Sequence, residues 1–311
     1  MNISRRDLLK ASAAVVAAPG LTASAVEKLQ NILAGQATAP VIWLQGQSCT
    51  GCSVSLLNSI YYATIDDLLL NVIDLEFHPT VMAAAGNLAV SAAEQAQSAG
   101  GYVLVVEGAV PSGAGGKYCH IWPGMTIEQA VLEFAAGAGF ILAVGSCAAY
   151  GGMAGGSPNP TQAQGLGEIL GDDSRLINIP GCPAHPDWIV GTIAYLLTYG
   201  EAPPLDNDSR PLEYFGDRIH NNCPNRHKHK YSGPEATVLG DAGCLKKIGC
   251  RGQWTYADCF MRKWNSGEAA SFGVNWCIGA RTPCQGCVEP SFPDGMSPFF
   301  EQAQDIKDLM S

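Results

Sequence analysis

Charge is scarce in this chain. Only 15% of its 311 residues are Asp, Glu, Lys or Arg, and 28 acidic against 18 basic side chains leave a formal net charge of −10. That balance excludes a general nucleic-acid binder, which needs a basic face. Long apolar runs are also missing. No stretch beyond the N-terminal leader reaches the ~18 residues that a membrane helix requires, so the mature chain has no predicted span. Internal repeats and low-complexity tracts are absent as well. The apolar fraction is nonetheless 47%. A chain this apolar, with so few charges to cover its surface, is expected to bury a large core and to offer a large face to a partner.

Cysteine is abundant: there are twelve. Seven lie between Cys223 and Cys287, in the order Cys223, Cys244, Cys250, Cys259, Cys277, Cys284 and Cys287, and His220 stands three positions ahead of the first. The intervening residues are rich in Gly, Pro, Asn and Trp and show little hydrophobic periodicity. Such a segment cannot fold on an apolar core alone and requires crosslinks, either disulfides or metal centres.

The N-terminus reads Ser4-Arg5-Arg6-Asp7-Leu8-Leu9-Lys10, followed by a mild Ala/Val run from Ala11 to Ala18. This resembles a twin-arginine export signal, with Ala23-Ser24-Ala25 or Ala37-Thr38-Ala39 as cleavage sites. Export of an already folded protein favours metal centres built before export over disulfides formed after it.

From Pro40 the pattern alternates. Strands are predicted at Val41–Gln45, Val72–Phe77, Tyr102–Val106, Phe140–Val144 and Leu176–Ile179. Helices are predicted at Ser53–Ile60, Ile65–Leu70, Ala83–Ala99, Ile127–Ala136 and Trp188–Tyr199. Short apolar strands alternating with helices indicate a parallel sheet covered on both faces. Ligands of such sheets bind beyond the carboxyl ends of the strands. Cys49 and Cys52 follow the first strand, Cys147 the fourth and Cys182 the fifth, so one sheet edge can gather four thiols. A composition change at Glu201-Ala202-Pro203-Pro204 and Asp206-Asn207-Asp208 marks a boundary. The expected division is a leader over 1–39, a sheet domain over 40–205 and a Cys-rich domain over 206–311.

Three chemistries fit the cysteines: disulfides, structural zinc with sets of four ligands, and iron–sulfur clusters with four thiolates or an occasional histidine. Eleven cysteines plus His220 make three sets of four. Cys119 is left over and reads as a free buried thiol.

Five motifs, Cys49-Thr50-Gly51-Cys52-Ser53, Leu75-Glu76-Phe77-His78-Pro79-Thr80, Gly145-Ser146-Cys147-Ala148, Pro180-Gly181-Cys182-Pro183 and Cys284-Gln285-Gly286-Cys287, together resemble the small, electron-transferring subunit of a nickel–iron hydrogenase, from about Pro40 to Phe300. The resemblance implies a flavodoxin-like sheet domain followed by an irregular, cluster-stabilised domain. It implies a proximal [4Fe–4S] set of Cys49, Cys52, Cys147 and Cys182, and a distal [4Fe–4S] set of His220, Cys223, Cys244 and Cys250. Cys259, Cys284 and Cys287 resemble the medial ligands. Most relatives carry proline where this chain has Cys277, and hold a [3Fe–4S] medial cluster. The extra thiol here predicts a third [4Fe–4S] cluster, with [3Fe–4S] the outcome if Cys277 does not ligate. This feature, Val54 and the run Cys287-Val288-Glu289-Pro290 resemble the nickel–iron–selenium subgroup. Oxygen-tolerant relatives carry two further cysteines near the proximal cluster; Gly51 and Gly152 stand at those places here.

The resemblance also implies a periplasmic location and a large partner subunit that holds the hydrogen-activating site. This chain would relay electrons to an external carrier such as a c-type cytochrome, directly or through a further membrane-bound subunit. The segment Gly267 to Phe272 looks longer than in most relatives. The basic run Arg226-His227-Lys228-His229-Lys230 is a candidate docking patch for an acidic carrier face. A quinone-reductase-type subunit, or a zinc or disulfide protein without redox function, are the alternatives.

Overall fold

The structure, a computed structural model, describes residues 39–226, 233–265 and 273–302. The export signal, residues 227–230 of the basic run, the 267–272 segment and the C-terminus from 303 lie outside the described residues.

Five parallel strands form the central sheet: β1 (Ala39–Gln45), β2 (Ile73–Phe77), β3 (Val103–Glu107), β4 (Phe140–Val144) and β5 (Leu176–Ile179). Their spatial order is β2-β1-β3-β4-β5. This is the doubly wound order in which the chain reverses direction between β1 and β3 and leaves a crevice at their carboxyl ends. The central strands are apolar on both faces because both faces are covered. Val41, Trp43, Val103, Val105, Leu142 and Val144 point into one core. Their neighbours Ile42, Leu44, Leu104, Val106, Ile141 and Ala143 point into the other.

The second core is closed by α2 (Asn87–Ala99) and α3 (Ile127–Ala135). Thr126 and Gln129 cap α3 reciprocally, each side chain bonding the other's backbone N–H. The first core is closed by α1 (Gly51–Leu57) and α5 (Pro186–Tyr199). Between α3 and α5 lies α4 (Ser146–Tyr150), which begins two residues after β4. Pro186 starts α5 and Gly200, at φ 71, ends it. Gly191 lets Tyr214 approach the helix, since an added Cβ would lie 2.1 Å from the Tyr214 hydroxyl.

Strands β4 and β5 fall where the sequence pattern places them. The other boundaries shift by a residue or two, except that α1 ends at Leu57 rather than Ile60 and α2 starts at Asn87 rather than Ala83. Gly86 precedes it at φ 59, a conformation that no helix continues through. The predicted helix at Ile65–Leu70 is a three-residue turn followed by a π-helical turn at Leu68–Val72. Two short antiparallel ladders, Val110–Pro111 with Ala163–Gln164 and His120–Trp122 with Met125–Thr126, were not anticipated.

Beyond residue 205 the described helices are no longer than four residues. Three buried arginines replace the missing backbone ladders. Arg251 donates to the carbonyls of Gly249, Met296, Pro298 and Glu301 at 2.7–3.1 Å. Arg210 bridges Asp206 at 2.8 Å and Glu289 at 3.3 Å, and also donates to the Val288 carbonyl. Arg262 pairs with Asp258 at 2.8 Å and Asp187 of α5 at 3.4 Å, and donates to the Tyr62 hydroxyl at 2.9 Å. The first core therefore continues without a break from the sheet to Leu245, Ile248, Trp276 and Val288.

Candidate functional site

Eleven of the twelve cysteines lie in three neighbouring groups. All twelve are free thiols, which removes the disulfide reading. Among the described residues, no three His, Cys, Asp or Glu side chains converge as tightly as a single ion requires. The cavity of about 600 Å³ walled by Cys259, Cys277, Cys284 and Cys287 is larger than one ion needs, which disfavours structural zinc there.

The first group stands at the carboxyl edge of the sheet. Cys52 lies in the first turn of α1, and its sulfur feels the charges of Cys147, Cys182 and Glu107; Cys147 and Cys182 both feel Cys49. Glycines make room for these sulfurs. An added Cβ on Gly145 would lie 2.5 Å from the Cys52 sulfur, on Gly152 2.9 Å from that of Cys147, and on Gly51 3.0 Å from that of Cys49. Burial raises the pKa of Cys52 and Cys147, and pushes Cys182 up to about 11. Backbone N–H groups face the sulfurs: Ala184 donates to Cys52, and Met153 and Ala154 donate to Cys147. Cys52 and Cys147, raised by burial when bare yet facing amide donors, suit metal-bound thiolates.

Behind this group sits a polar network that the sequence did not reveal. Glu107, at the end of β3, is 1% exposed. It accepts hydrogen bonds from the Cys52 backbone N–H at 3.0 Å, Ser48 at 2.9 Å, Gln45 at 3.0 Å, Trp43 at 3.2 Å and Ser53. His78 stacks on Trp43 with ring centroids 5.1 Å apart. Its Nδ1 accepts from the Thr80 and Val81 amides, so Nε2 carries the proton and donates to Ser53 at 3.2 Å. Burial pushes the His78 pKa down to about 4 and keeps the ring neutral. The available sequence signal was a lone carboxylate closing an otherwise apolar strand.

The second group lines a cavity of about 600 Å³ with Cys259, Cys277, Cys284 and Cys287 in its wall, together with Trp276 and with Cys182 of the first group. Cys259 feels the charges of the other three. The third group shares a cleft formed by His220, Cys223, Cys244 and Cys250, bordered by Arg226 and Lys246. Asn225 and Arg226 donate backbone N–H groups to Cys223, and Gly252 donates to Cys250. Burial pushes Cys250 up to about 11 and Cys287 up to about 12. Cys119 stands apart beside the second core, raised by burial alone.

Comparison with known proteins places these features in company. Residues 49–196 match the family described as NADH ubiquinone oxidoreductase, 20 Kd subunit; residues 215–300 match the C-terminal family of the NiFe/NiFeSe hydrogenase small subunit; residues 2–22 match the twin-arginine translocation signal. The chain is 41% identical to the periplasmic [NiFeSe] hydrogenase small subunit of Desulfomicrobium baculatum, over 96% of this chain and 99% of that one. It is 39% identical to the periplasmic [NiFe] hydrogenase small subunit of Solidesulfovibrio fructosivorans, over 96% and 93%. Among solved structures, a chain of the reduced, active Ni-Fe-Se hydrogenase from Desulfomicrobium baculatum superposes with a TM-score of 0.80 at 42% identity, covering 86% of this chain and 100% of that one. A chain of the oxidized recombinant [NiFeSe] hydrogenase from Desulfovibrio vulgaris Hildenborough gives 0.79 at 45% identity, over 86% and 98%.

Proposed function

Because the chain belongs to the nickel–iron and nickel–iron–selenium hydrogenase small-subunit family, we propose that its three thiol groups hold three [4Fe–4S] clusters that connect the hydrogen site of a large subunit with an external electron carrier. The chain is the electron-transfer subunit of a hydrogenase, exported to the periplasm by the twin-arginine route, and the hydrogen-activating site lies in the large subunit. The proposed ligands are Cys49, Cys52, Cys147 and Cys182 for the proximal cluster. Cys259, Cys277, Cys284 and Cys287 hold the medial one, and His220, Cys223, Cys244 and Cys250 the distal one. The proposed partner is a large subunit of the nickel–iron–selenium kind, and the proposed carrier is a c-type cytochrome.

The observation that carries this reading is the gathering of eleven thiols and one imidazole into three adjoining groups. The residues fit such clusters. Each group offers four soft donors, the glycine cradles leave sulfur-sized space, and the medial cavity is walled by four thiols. Such clusters supply one-electron carriers whose potentials follow ligand type, hydrogen bonds to sulfur and exposure. The chain's own residues provide the rest. The amides of Ala184, Met153, Ala154, Asn225 and Gly252 stabilise negative sulfur. Trp188, Trp264 and Trp276 keep the medial surroundings apolar. Arg262 and Arg210 fix the Cys-rich region against α5 and the linker.

The test is elemental analysis of the heterodimer of this chain with its large subunit, purified without oxygen. The expected content is about twelve irons from this chain, with nickel, selenium and one further iron from the partner. Zinc, or no metal, in place of that iron would overturn the assignment. A strong [3Fe–4S] EPR signal from intact, unoxidised protein would overturn the fourth medial ligand.

A further inference from the structure

The turn from Arg251 to Thr255 joins the distal donor group to the medial one. On the distal side the Thr255 carbonyl accepts from the Ile219 N–H at 2.9 Å, and the Gly252 carbonyl accepts from the His220 N–H at 2.9 Å. On the medial side the Arg251 N–H donates to the Cys284 carbonyl at 2.7 Å. The Thr255 side chain completes the junction. Its hydroxyl donates to the Arg251 carbonyl at 2.8 Å, and it accepts from the Cys284 thiol with sulfur and oxygen 3.6 Å apart. Both residues stand in the wall of the medial cavity. Thr255 is 1% exposed and Cys284 6%, so bulk water does not compete for either group. The Arg251 carbonyl has a second donor, the Trp254 N–H at 3.0 Å. The single hydroxyl proton can therefore leave that carbonyl without orphaning it.

We propose that Thr255 sets the reduction potential of the medial cluster: its hydroxyl turns from the Arg251 carbonyl to the Cys284 sulfur when that sulfur is a metal-bound thiolate, and raises the potential by donating to it. This rests on the cluster assignment above. A cysteine that binds iron has given up the proton it donates to Thr255 here. Its sulfur becomes an acceptor, and a hydroxyl hydrogen rotates to suit its neighbours while the oxygen stays in place. The rotation costs little, because Trp254 continues to satisfy the carbonyl that the hydroxyl leaves. A donor to cluster sulfur stabilises the reduced, more negative state more than the oxidised one, so it raises the potential. Cys277 acts on the same cluster with the opposite sign, since a fourth thiolate adds negative charge. One electron enters the medial cluster from one neighbouring cluster and leaves to the other. Thr255 keeps its proton throughout, and no covalent bond is made or broken.

The experiment uses the complete heterodimer, purified anaerobically, as wild type, Thr255→Val and Thr255→Ser. Iron content of the wild type is measured first and tests the cluster assignment by itself. Valine keeps the branched shape of threonine and deletes the hydroxyl. The backbone bonds of the turn to Ile219, His220 and Cys284 remain, so Thr255→Val is expected to hold the wild-type amount of iron. In an EPR-monitored redox titration its medial midpoint should move to more negative potential. The expected change is about tenfold in the equilibrium with a fixed mediator, or about 59 mV for one electron, with the proximal and distal midpoints in place. Thr255→Ser, which keeps the hydroxyl, should titrate as wild type. A hydroxyl that only closed the turn would change the melting temperature and leave every midpoint where it was. An unmoved medial midpoint in Thr255→Val, or a serine variant that titrates like the valine one, would overturn the proposal. If the valine variant does not retain its iron, pulsed EPR of the wild type after exchange into D2O decides. A deuteron coupled to the medial signal supports the hydroxyl contact, and its absence overturns it.

Discussion

Arg262 is the residue whose removal should be felt most. It is 3% exposed and lies between two buried carboxylates, Asp258 at 2.8 Å and Asp187 at 3.4 Å. The rings of Tyr62 and Tyr214 flank it, with centroids 5.6 and 5.1 Å from the guanidinium carbon. The substitution Arg262→Met keeps most of the volume and deletes the charge. It strands two carboxylates in an apolar junction, and breaking a buried pair from one side costs about 3–5 kcal/mol. For a domain of this size each kcal/mol lowers the melting temperature by roughly 2–4 °C, so the apparent Tm should fall by about 6–20 °C. The loss should depend on pH in a defined direction. Burial already pushes the Asp187 pKa up to about 6, against the attraction of Arg262. A carboxyl raised above its unfolded value of about 3.9 favours the fold when protonated, below that value, and loses the contribution as pH rises through the folded pKa. Without Arg262 the folded pKa climbs further. The variant should therefore lose stability more steeply than wild type between about pH 5 and 8, and Asp187→Asn added to it should restore part of the loss. The assay is calorimetry of the anaerobic complex across that range. An Arg262→Met complex with wild-type Tm and wild-type pH slope would refute the claim that this cation holds the Cys-rich region to α5.

Gly145→Ala places a Cβ 2.5 Å from the Cys52 sulfur at φ +87. Left-handed backbone and overpacking together should cost about 2–5 kcal/mol, read as the loss of one cluster's iron from the complex; full iron content would contradict the cradle. Cys277→Ala leaves three thiols around the medial cavity, and a new [3Fe–4S] EPR signal with a raised medial potential is the expected result. An unchanged spectrum would mean that Cys277 does not ligate. His78 is buried with its pKa pushed down to about 4, below the ordinary value of about 6.5. The folded state therefore excludes a proton that the unfolded chain binds. The stability this residue protects is complete above about 6.5 and is lost as pH falls toward 4, by at most about 3 kcal/mol. His78→Gln should flatten the acid side of the stability profile, and an unaltered acid limb would count against it.

How much was legible in advance depends on the range of each interaction. Strand and helix periodicity is written within ten residues, so β4, β5 and most of α3 and α5 could be read directly. The thiols were legible because their residue type carries the chemistry and because strand ends in a parallel sheet share one edge. Glu107 could be seen only as a charge ending a strand. Its five donors come from positions 43 to 53 across the β1–β3 pairing. The π-helical turn at Leu68–Val72 has no sequence signature, and its residues read as an ordinary amphipathic run.

The sequence by itself determined the kind of sheet, the supply of cysteines beyond its strand ends, the export route and the family. Each of these depends on residue identity, local spacing or order along the chain. Only the tertiary structure decided how the sets meet. Ser146 finds the Cys287 carbonyl 141 positions away, and Arg262 finds Tyr62 at a distance of 200. Serine and arginine carry no pattern that announces a partner. Their roles come from burial, where a hydroxyl or guanidinium must satisfy its hydrogen bonds with whatever carbonyls and carboxylates the fold brings within about 3 Å. In a region with almost no regular secondary structure, those long-range bonds set the spacing of the donor groups.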